Sequence, residues 1–167
     1  MAGQGTIALE LLAQTPELDA LITPVGGGGL ASGVAIAAHA LRPGLALYGA
    51  EPAGADDAAR SLAAGERVEH VVPDTLCDGL RALIGRQNLS ALRGHAVDVI
   101  TVSDEETIAA MRLLWRELRI VVEVSSATVL AAVLKARERF AGRRLGLVIT
   151  GGNVDLDALP WSGASSA

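Results

Sequence analysis

Lysine, cysteine and aromatic residues are scarce in this 167-residue chain. Its fourteen basic residues include one lysine, Lys135, and form no basic block, so nucleic acid and anionic membranes are not expected partners. A single cysteine, Cys77, excludes an intrachain disulfide and fits a reducing compartment. No apolar run reaches the ~18–20 residues that span a bilayer, and the first residues lack the basic region of a signal peptide. We therefore expect a cytoplasmic chain outside the membrane.

Small aliphatic residues dominate the remainder. Half of the residues are hydrophobic and only 2% are aromatic, which suits helices packed closely on a buried parallel sheet. Strand-like runs lie at residues 21–25, 45–50, 97–102 and 143–150. Because helical segments alternate with these runs, we predict an α/β fold with a parallel, doubly wound sheet and helices on both of its faces. We assign residues 1–160 to one domain and residues 161–167 to a disordered tail.

The segment "ITPVGGGGLASG" at 22–33 places four glycines between a predicted strand and a predicted helix. Each ordered glycine costs roughly 0.5–1 kcal/mol in backbone entropy relative to alanine, so a run of four needs a reason. Gly26, Gly27, Gly28 and Gly29 would offer bare backbone N–H groups to an anion at the positive end of the helix. The pattern favours a phosphate site, with a tight strand-to-helix turn as the alternative.

Familiar nucleotide loops fit the glycines less well. A P-loop ends in Gly-Lys-Ser/Thr, and no lysine is near. A dinucleotide fingerprint could use Gly27 and Gly29, with Glu51 as the acidic ribose partner, but its third glycine is missing. A phosphate monoester is therefore the favoured ligand, and a small nucleotide-binding domain is the alternative.

A second glycine turn, "ITGGNVDL", follows the last predicted strand. Thr150 stands at the carboxyl end of that strand, where it would face the same crevice as the first loop. Taken alone, the turn is better explained as a structural one closed by Gly151 and Gly152, with Asn153 in the left-handed region.

Other reactive side chains show no functional spacing. His39, His70 and His95 are scattered, as is Cys77, and we expect each to be structural. Ser103 and Glu106 form the pattern of a capping box and predict a helix that starts at 104.

Five segments resemble the threonine dehydratase and serine racemase family of pyridoxal-phosphate (PLP) enzymes. They are "AGQGTIALELL", "DALITPVGGGGLASGVAIA", "YGAEPAGADDAARSLAAG", "VITVSDEETIAAMRLLW" and "ITGGNVDLDAL". The resemblance covers residues 2–157. It implies the C-terminal part of the large domain of the tryptophan-synthase-β-like PLP fold, fold type II.

The resemblance implies roles for particular residues. Gly26–Gly29 match the loop that binds the PLP phosphate, and Thr150 matches the hydroxyl residue at the pyridine nitrogen, where serine is commoner. A hydroxyl there suits β-elimination better than transamination. "EPAGADD" is similar to a divalent-cation site in which the carboxylates of Glu51 and Asp57 and the carbonyl oxygen of Ala55 would bind Mg²⁺ or Ca²⁺. The alternative is a helix start where acidic residues favour the dipole.

Two features depart from the family. Glu123-Val124 stands where the family has Glu-Pro. The Schiff-base lysine, found in the family in an "S-F-K-x-R-G"-like stretch of the N-terminal half, has no counterpart, because Lys135 lies among charged helical residues.

The resemblance therefore implies the C-terminal portion of an ammonia-lyase for L-threonine or L-serine, inactive alone. A separate chain could supply the N-terminal half. Because the absence of that half would leave apolar sheet surface uncovered, we expect a homo- or hetero-oligomer or poor solubility. The alternatives are serine racemase activity in the completed enzyme, and a degenerate domain that binds PLP, another phosphate ester or a protein.

Overall fold

The computed structural model describes residues 1–161, which form an α/β domain. Its strands are β1 (Ala20–Pro24), β2 (Ala46–Pro52), β3 (Asp98–Val102) and β4 (Leu145–Leu147). Its helices are α1 (Ala2–Gln14), α2 (Gly29–Leu41), α3 (Asp57–Ala64), α4 (Arg86–Gly94), α5 (Asp104–Leu118), α6 (Val124–Lys135) and α7 (Arg137–Phe140). One-turn 3-10 helices lie at Ala53–Ala55 and Asp78–Leu80.

The four strands form one parallel sheet in the order β3-β2-β1-β4. Ile22 of the central strand β1 lies opposite Tyr48 on one side and Leu147 on the other. Successive side chains of β1 enter different cores: Leu21 packs with residues of α1, α2 and α4, and Ile22 packs with residues of α5 and α6. Both faces of the sheet are therefore covered, and the predicted doubly wound architecture is confirmed.

The predicted helix start at Ser103 is confirmed. The Ser103 hydroxyl accepts from the Glu106 N–H at 3.2 Å, and the Glu106 carboxylate accepts from the Ser103 N–H at 2.8 Å. This reciprocal capping satisfies two donors that the helix itself leaves without partners.

Strand β4 is shorter than the predicted run of 143–150. Its pairing with β1 ends where the Val148 N–H donates to the Ile22 carbonyl at 2.9 Å. The next bond of a parallel ladder would need an N–H from residue 24, and Pro24 has none. The chain is thereby released from the sheet just before Thr150.

The end of the described chain packs on the domain. The ring of Trp161, which the sequence placed in the tail, meets Trp115 edge-on with the ring centroids 5.5 Å apart. The remainder of the predicted tail, residues 162–167, lies outside the described residues. Within residues 1–161, every helix is too short or too polar to cross a lipid bilayer.

Candidate cofactor-binding site

The glycine loop and Thr150 line one cleft of about 220 Å³ at the carboxyl ends of β1 and β4. Glu123 and Ser125, at the start of α6, line it as well. The sequence placed the loop and Thr150 on one crevice, and the structure brings them together there. Open parallel sheets bind their ligands at this edge.

Two positions of the glycine run require a bare backbone. Gly28 has φ +82°, and a Cβ on it would lie 2.2 Å from Ile84 Cδ1. A Cβ on Gly26 would lie 2.9 Å from the Leu80 Cα. Gly29 differs, because a Cβ there would meet nothing within 4 Å. The loop is thus pressed against the 80–84 segment on one side and leaves space beside Gly29.

The amino end of α2 has the electrostatics of an anion site. Its first turn carries no acidic residue, and no side chain of residues 1–161 caps it. The Ser32 N–H donates to the Gly28 carbonyl at 2.9 Å, which leaves the N–H groups before it without an intrahelical acceptor. The Gly27 carbonyl accepts from the Gly85 N–H at 3.1 Å and from Asn88 Nδ2 at 2.6 Å. Free N–H groups at a helix start attract a phosphate.

The second glycine turn is fixed by Glu123. The Asn153 N–H donates to Glu123 Oε2 at 2.9 Å, and a Cβ on Gly151 would lie 2.6 Å from that oxygen. Gly151 has φ +95°, whereas Asn153 is not among the positive-φ residues. The expectation that Asn153 adopts the left-handed region was therefore wrong. Glycine suits this position for two reasons: it adopts positive φ without strain, and a side chain would collide with the Glu123 carboxylate.

Thr150 is half-buried, and its backbone carbonyl accepts a hydrogen bond from the Ser126 hydroxyl. Ser126 belongs to the first turn of α6, so this bond ties the end of the last strand to that helix. The anchoring fixes the Thr150 backbone at the cleft.

One wall of the cleft was not predicted from the sequence. Gly79 and Leu80 belong to the irregular stretch before α4, and both line the cleft. The Gly79 N–H donates to Ser125 Oγ at 3.1 Å, which ties this wall to α6. The one local signal was the dipeptide Asp78-Gly79, which marks a turn but not its position in the fold.

Glu51 and Asp57, the carboxylates of the expected cation site, support backbone N–H groups. Glu51 is fully buried, and its two oxygens accept from the N–H groups of Ala58 and Ala59, each at 2.9 Å. Burial raises the Glu51 pKa to about 8, against the lowering effect of those two bonds. Asp57 accepts from the Ile84 N–H at 2.7 Å, and burial raises its pKa as well.

The donor set of that expected site is made of hard oxygens, which suits Mg²⁺ or Ca²⁺. Ala55 follows β2 on the short 3-10 helix and is buried beside the start of α3. In residues 1–161, no group of three or more His, Cys, Asp or Glu side chains is placed to bind a metal. A cation at this point would therefore need the Ala55 carbonyl and water besides the two carboxylates.

Burial of Glu51 removes the nucleotide alternative. A ribose-binding carboxylate must reach the ligand, but this one is enclosed and occupied by two N–H groups of α3.

The remaining reactive side chains do not line the cleft. Lys135 is at the end of α6 with Nζ 3.0 Å from Glu106 Oε2, in agreement with the expected solvated face. Cys77 is buried, and burial raises its pKa to about 11, so the thiol stays protonated at neutral pH. The histidines are less scattered than the sequence indicated, because His39 and His95 lie within hydrogen-bond distance of each other.

Comparison with known proteins agrees with this geometry. Residues 1–151 match the family model described as pyridoxal-phosphate dependent enzyme. The chain belongs to this family. The PLP enzyme family was expected from the glycine loop and the "GGNVD" turn, and that expectation is confirmed.

The matches to individual relatives extend over almost all of this chain but over only about half the length of each relative. The β-hydroxyaspartate dehydratase of Paracoccus denitrificans (strain Pd 1222) is 46% identical over 97% of this chain and 51% of the relative. The serine racemase of Dictyostelium discoideum is 45% identical over 95% of this chain and 50% of the relative. The chain thus corresponds to the C-terminal half of these PLP enzymes.

Solved structures of PLP enzymes give the same result. Maize serine racemase superimposes with a TM-score of 0.88 and 43% identity, covering 93% of this chain and 49% of that structure. The T.th. threonine deaminase superimposes with a TM-score of 0.87 and 43% identity, covering 92% of this chain and 58% of that structure. The fold is that of fold type II PLP enzymes.

Proposed function

We propose that this chain supplies the phosphate-binding half of a PLP-dependent dehydratase, an ammonia-lyase that acts on L-threonine or L-serine. The observation that carries the proposal is the cleft shared by the glycine loop and Thr150. Relatives named as a dehydratase and as a threonine deaminase support this reaction class.

The residues of the cleft fit PLP. The N–H groups of Gly26–Gly29 would bind its phosphate at the start of α2, where no side chain among residues 1–161 competes. The Thr150 hydroxyl would bond the pyridine nitrogen. When bound, PLP supplies an electron-withdrawing ring that acidifies the α-carbon of an attached amino acid. Thr150 offers that ring a neutral hydroxyl rather than a carboxylate, which suits loss of a β-hydroxyl better than transamination.

A lysine from outside this sequence would hold the cofactor covalently. Lys135 is unsuited, because it is paired with Glu106 and does not line the cleft. We propose that a lysine-bearing N-terminal half completes the enzyme. Its docking surface would include the groove of about 280 Å³ between α1 and β4, which Ile7, Leu11 and Ile149 line beside an edge strand. Without that half, we expect the chain to associate with itself and to be inactive.

We further propose that Glu51, Asp57 and the Ala55 carbonyl bind Mg²⁺ or Ca²⁺. The buried carboxylates of Glu51 and Asp57 both lie at the start of α3 and repel each other when ionised. The Asp57 charge therefore adds to the raised pKa of Glu51. A divalent cation would compensate both charges and stabilise their ionised forms. Its role would be structural, because the carboxylates anchor α3 and the Ile84 N–H beside the glycine loop.

A serine racemase is the second candidate, favoured by the 45% identity to the Dictyostelium enzyme. Both candidates require removal of a proton from the α-carbon and use the same cleft. We infer a cytoplasmic location from Cys77, which is buried as a free thiol.

The test supplies the missing half. The chain is co-expressed with the N-terminal half of the Paracoccus relative, and L-serine, L-threonine and β-hydroxyaspartate are offered. A dehydratase yields a 2-oxo acid and ammonia, whereas a racemase yields D-serine. A complex that binds PLP but gives neither product, and no α-proton exchange with solvent, would show a non-catalytic domain.

A further inference from the structure

A histidine pair lies beside the amino ends of the strands, whereas the glycine cleft is at their carboxyl ends. His39 is in the last turn of α2, and His95 follows the last residue of α4. Their Nδ1 atoms are 3.1 Å apart, although the residues are 56 positions apart in sequence. Both rings are half-buried and line a cleft of about 390 Å³ beside the start of β2.

The hydrogen bonds assign the protons of the pair. His39 Nε2 lies 2.9 Å from the Leu45 carbonyl oxygen, which can only accept, so Nε2 carries the hydrogen of the neutral ring. His39 Nδ1 therefore has a lone pair, and it faces His95 Nδ1. The hydrogen between the two rings accordingly belongs to His95 Nδ1. This assignment follows from the hydrogen-bond network.

The same geometry is close to that of two ligands on one metal. At Zn–N distances of about 2.0–2.1 Å, two nitrogens on a tetrahedral ion lie roughly 3.4 Å apart, and roughly 2.9 Å apart at a right angle. The observed 3.1 Å falls between these values. Imidazole is a preferred ligand of Zn²⁺, Cu²⁺ and Ni²⁺. We propose that His39 and His95 form a two-histidine site for a divalent transition metal such as Zn²⁺, with water completing the coordination.

His39 is already oriented as a ligand. A metal-bound histidine commonly donates its other N–H to a backbone carbonyl, and His39 makes this bond to Leu45. The metal would take the place of the hydrogen between the two Nδ1 atoms. His95 would then carry its hydrogen on Nε2, with no net change in protonation.

His95 can supply the required movement. In residues 1–161, its ring makes its one hydrogen bond to His39, so it can tilt without breaking another. Convergence of two lone pairs on a tetrahedral ion requires a tilt of about 35° per ring from a straight N–H···N bond, and the χ2 torsion of histidine is soft.

The pair is reachable from solvent through the cleft that it lines. Asp98 and Arg139 line the same cleft and form an ion pair with each other, so the cleft contains both signs of charge. The Arg139 guanidinium lies over the Tyr48 ring, with its Cζ 4.9 Å from the ring centroid.

The test is calorimetric titration of the full chain with Zn²⁺, in chelator-treated buffer, on the wild type and three variants. His39→Gln and His95→Gln should each weaken the strongest binding event at least about tenfold. His70→Gln is the matched control, because His70 is exposed and does not line the cleft of His39 and His95. This variant should bind Zn²⁺ with unchanged affinity. Zn²⁺ binding that is equal in all four proteins, or absent at millimolar Zn²⁺, would overturn the proposal.

Histidine side-chain ¹H–¹⁵N spectra of the wild type provide a readout that does not depend on variant folding. Zn²⁺ should shift the Nδ1 signals of two rings and move the hydrogen of one of them from Nδ1 to Nε2. Shifts confined to the third histidine would contradict the assignment.

Discussion

Helices α2 and α3 both follow parallel strands at the same edge of the sheet, yet their amino ends are treated differently. At α3 the buried carboxylate of Glu51 accepts from the N–H groups of Ala58 and Ala59. At α2 no acidic residue occupies the first turn, and no side chain in the described part of the chain caps it. The start of α3 has an internal carboxyl group as acceptor, whereas the first N–H groups of α2 have no side-chain partner within residues 1–161. The open start of α2 indicates that this helix, and not α3, is suited to bind an external anion.

The glycines preserve this difference. A side chain at Gly28 would strike Ile84, and the loop carbonyl of Gly27 is occupied by Asn88 and Gly85. The loop is therefore fixed, and its N–H groups have no acceptor within residues 1–161. A fixed loop with free N–H groups can bind a phosphate without reorganisation.

The largest expected effect comes from Gly28→Ala. The substitution places alanine in the left-handed region and brings its Cβ to 2.2 Å from Ile84 Cδ1. Because both effects are unfavourable, we expect a loss of about 2–5 kcal/mol in the free energy of unfolding. Gly29→Ala is the control: its Cβ meets nothing within 4 Å, and the change should stay within about 1 kcal/mol. Urea unfolding measures both. Equal losses would mean that the two glycines are equivalent.

The second effect is a pH dependence from Glu51. Its pKa is raised from 4.5 to about 8, so between these values the folded chain holds a proton that the unfolded chain has lost. The contribution of Glu51 to the free energy of unfolding is therefore complete below about pH 4.5 and decreases as the pH rises towards 8. Without divalent cations, we expect a decline of about 2–3 kcal/mol between pH 5.5 and 7.5, measured by urea unfolding.

Glu51→Gln should remove that decline. Because it keeps one acceptor for two N–H groups, it should be less stable than the wild type at pH 5.5 and closer to it at pH 7.5. A wild-type chain with flat stability over this range would contradict the raised pKa.

The third prediction converts α2 into a copy of α3. Gly29→Asp places a carboxylate at the open helix start, and we expect PLP affinity to fall at least about tenfold through charge repulsion. Stability should stay unchanged or rise slightly, because an acidic residue suits the first turn. Gly29→Asn, of equal size but neutral, should bind more tightly than the Asp variant. Calorimetric PLP titrations that rank the two variants equally would assign the loss to size.

The smallest expected effect is at Thr150. Thr150→Val keeps the shape and removes the hydroxyl proposed to bond the ring nitrogen. We expect a loss of about 0.5–1.5 kcal/mol in PLP binding, or roughly twofold to twelvefold in affinity. Thr150→Ser retains the hydroxyl and should bind as the wild type does. If the Thr150→Val variant also binds PLP as tightly as the wild type, the Thr150 hydroxyl does not contact the cofactor.

The sequence predicted features whose causes are local. The capping box at Ser103 and Glu106 and the glycine loop between strand and helix depend on neighbours within a few residues. The His39–His95 contact could not be predicted, because the sheet brings together positions 56 apart. The short β4 depends on Pro24 in another strand, and the Gly79 wall of the cleft depends on Ser125 of α6. These features require the tertiary arrangement.

Phosphate recognition by the glycine loop is tested by comparing PLP with pyridoxal, which lacks the phosphate, in calorimetric titrations of the purified chain. We predict saturable PLP binding that inorganic phosphate displaces, with pyridoxal at least about a hundredfold weaker, because the amides of α2 bind the phosphate. Equal affinity for PLP and pyridoxal, or PLP attached to Lys135 after borohydride reduction, would contradict this role of the loop.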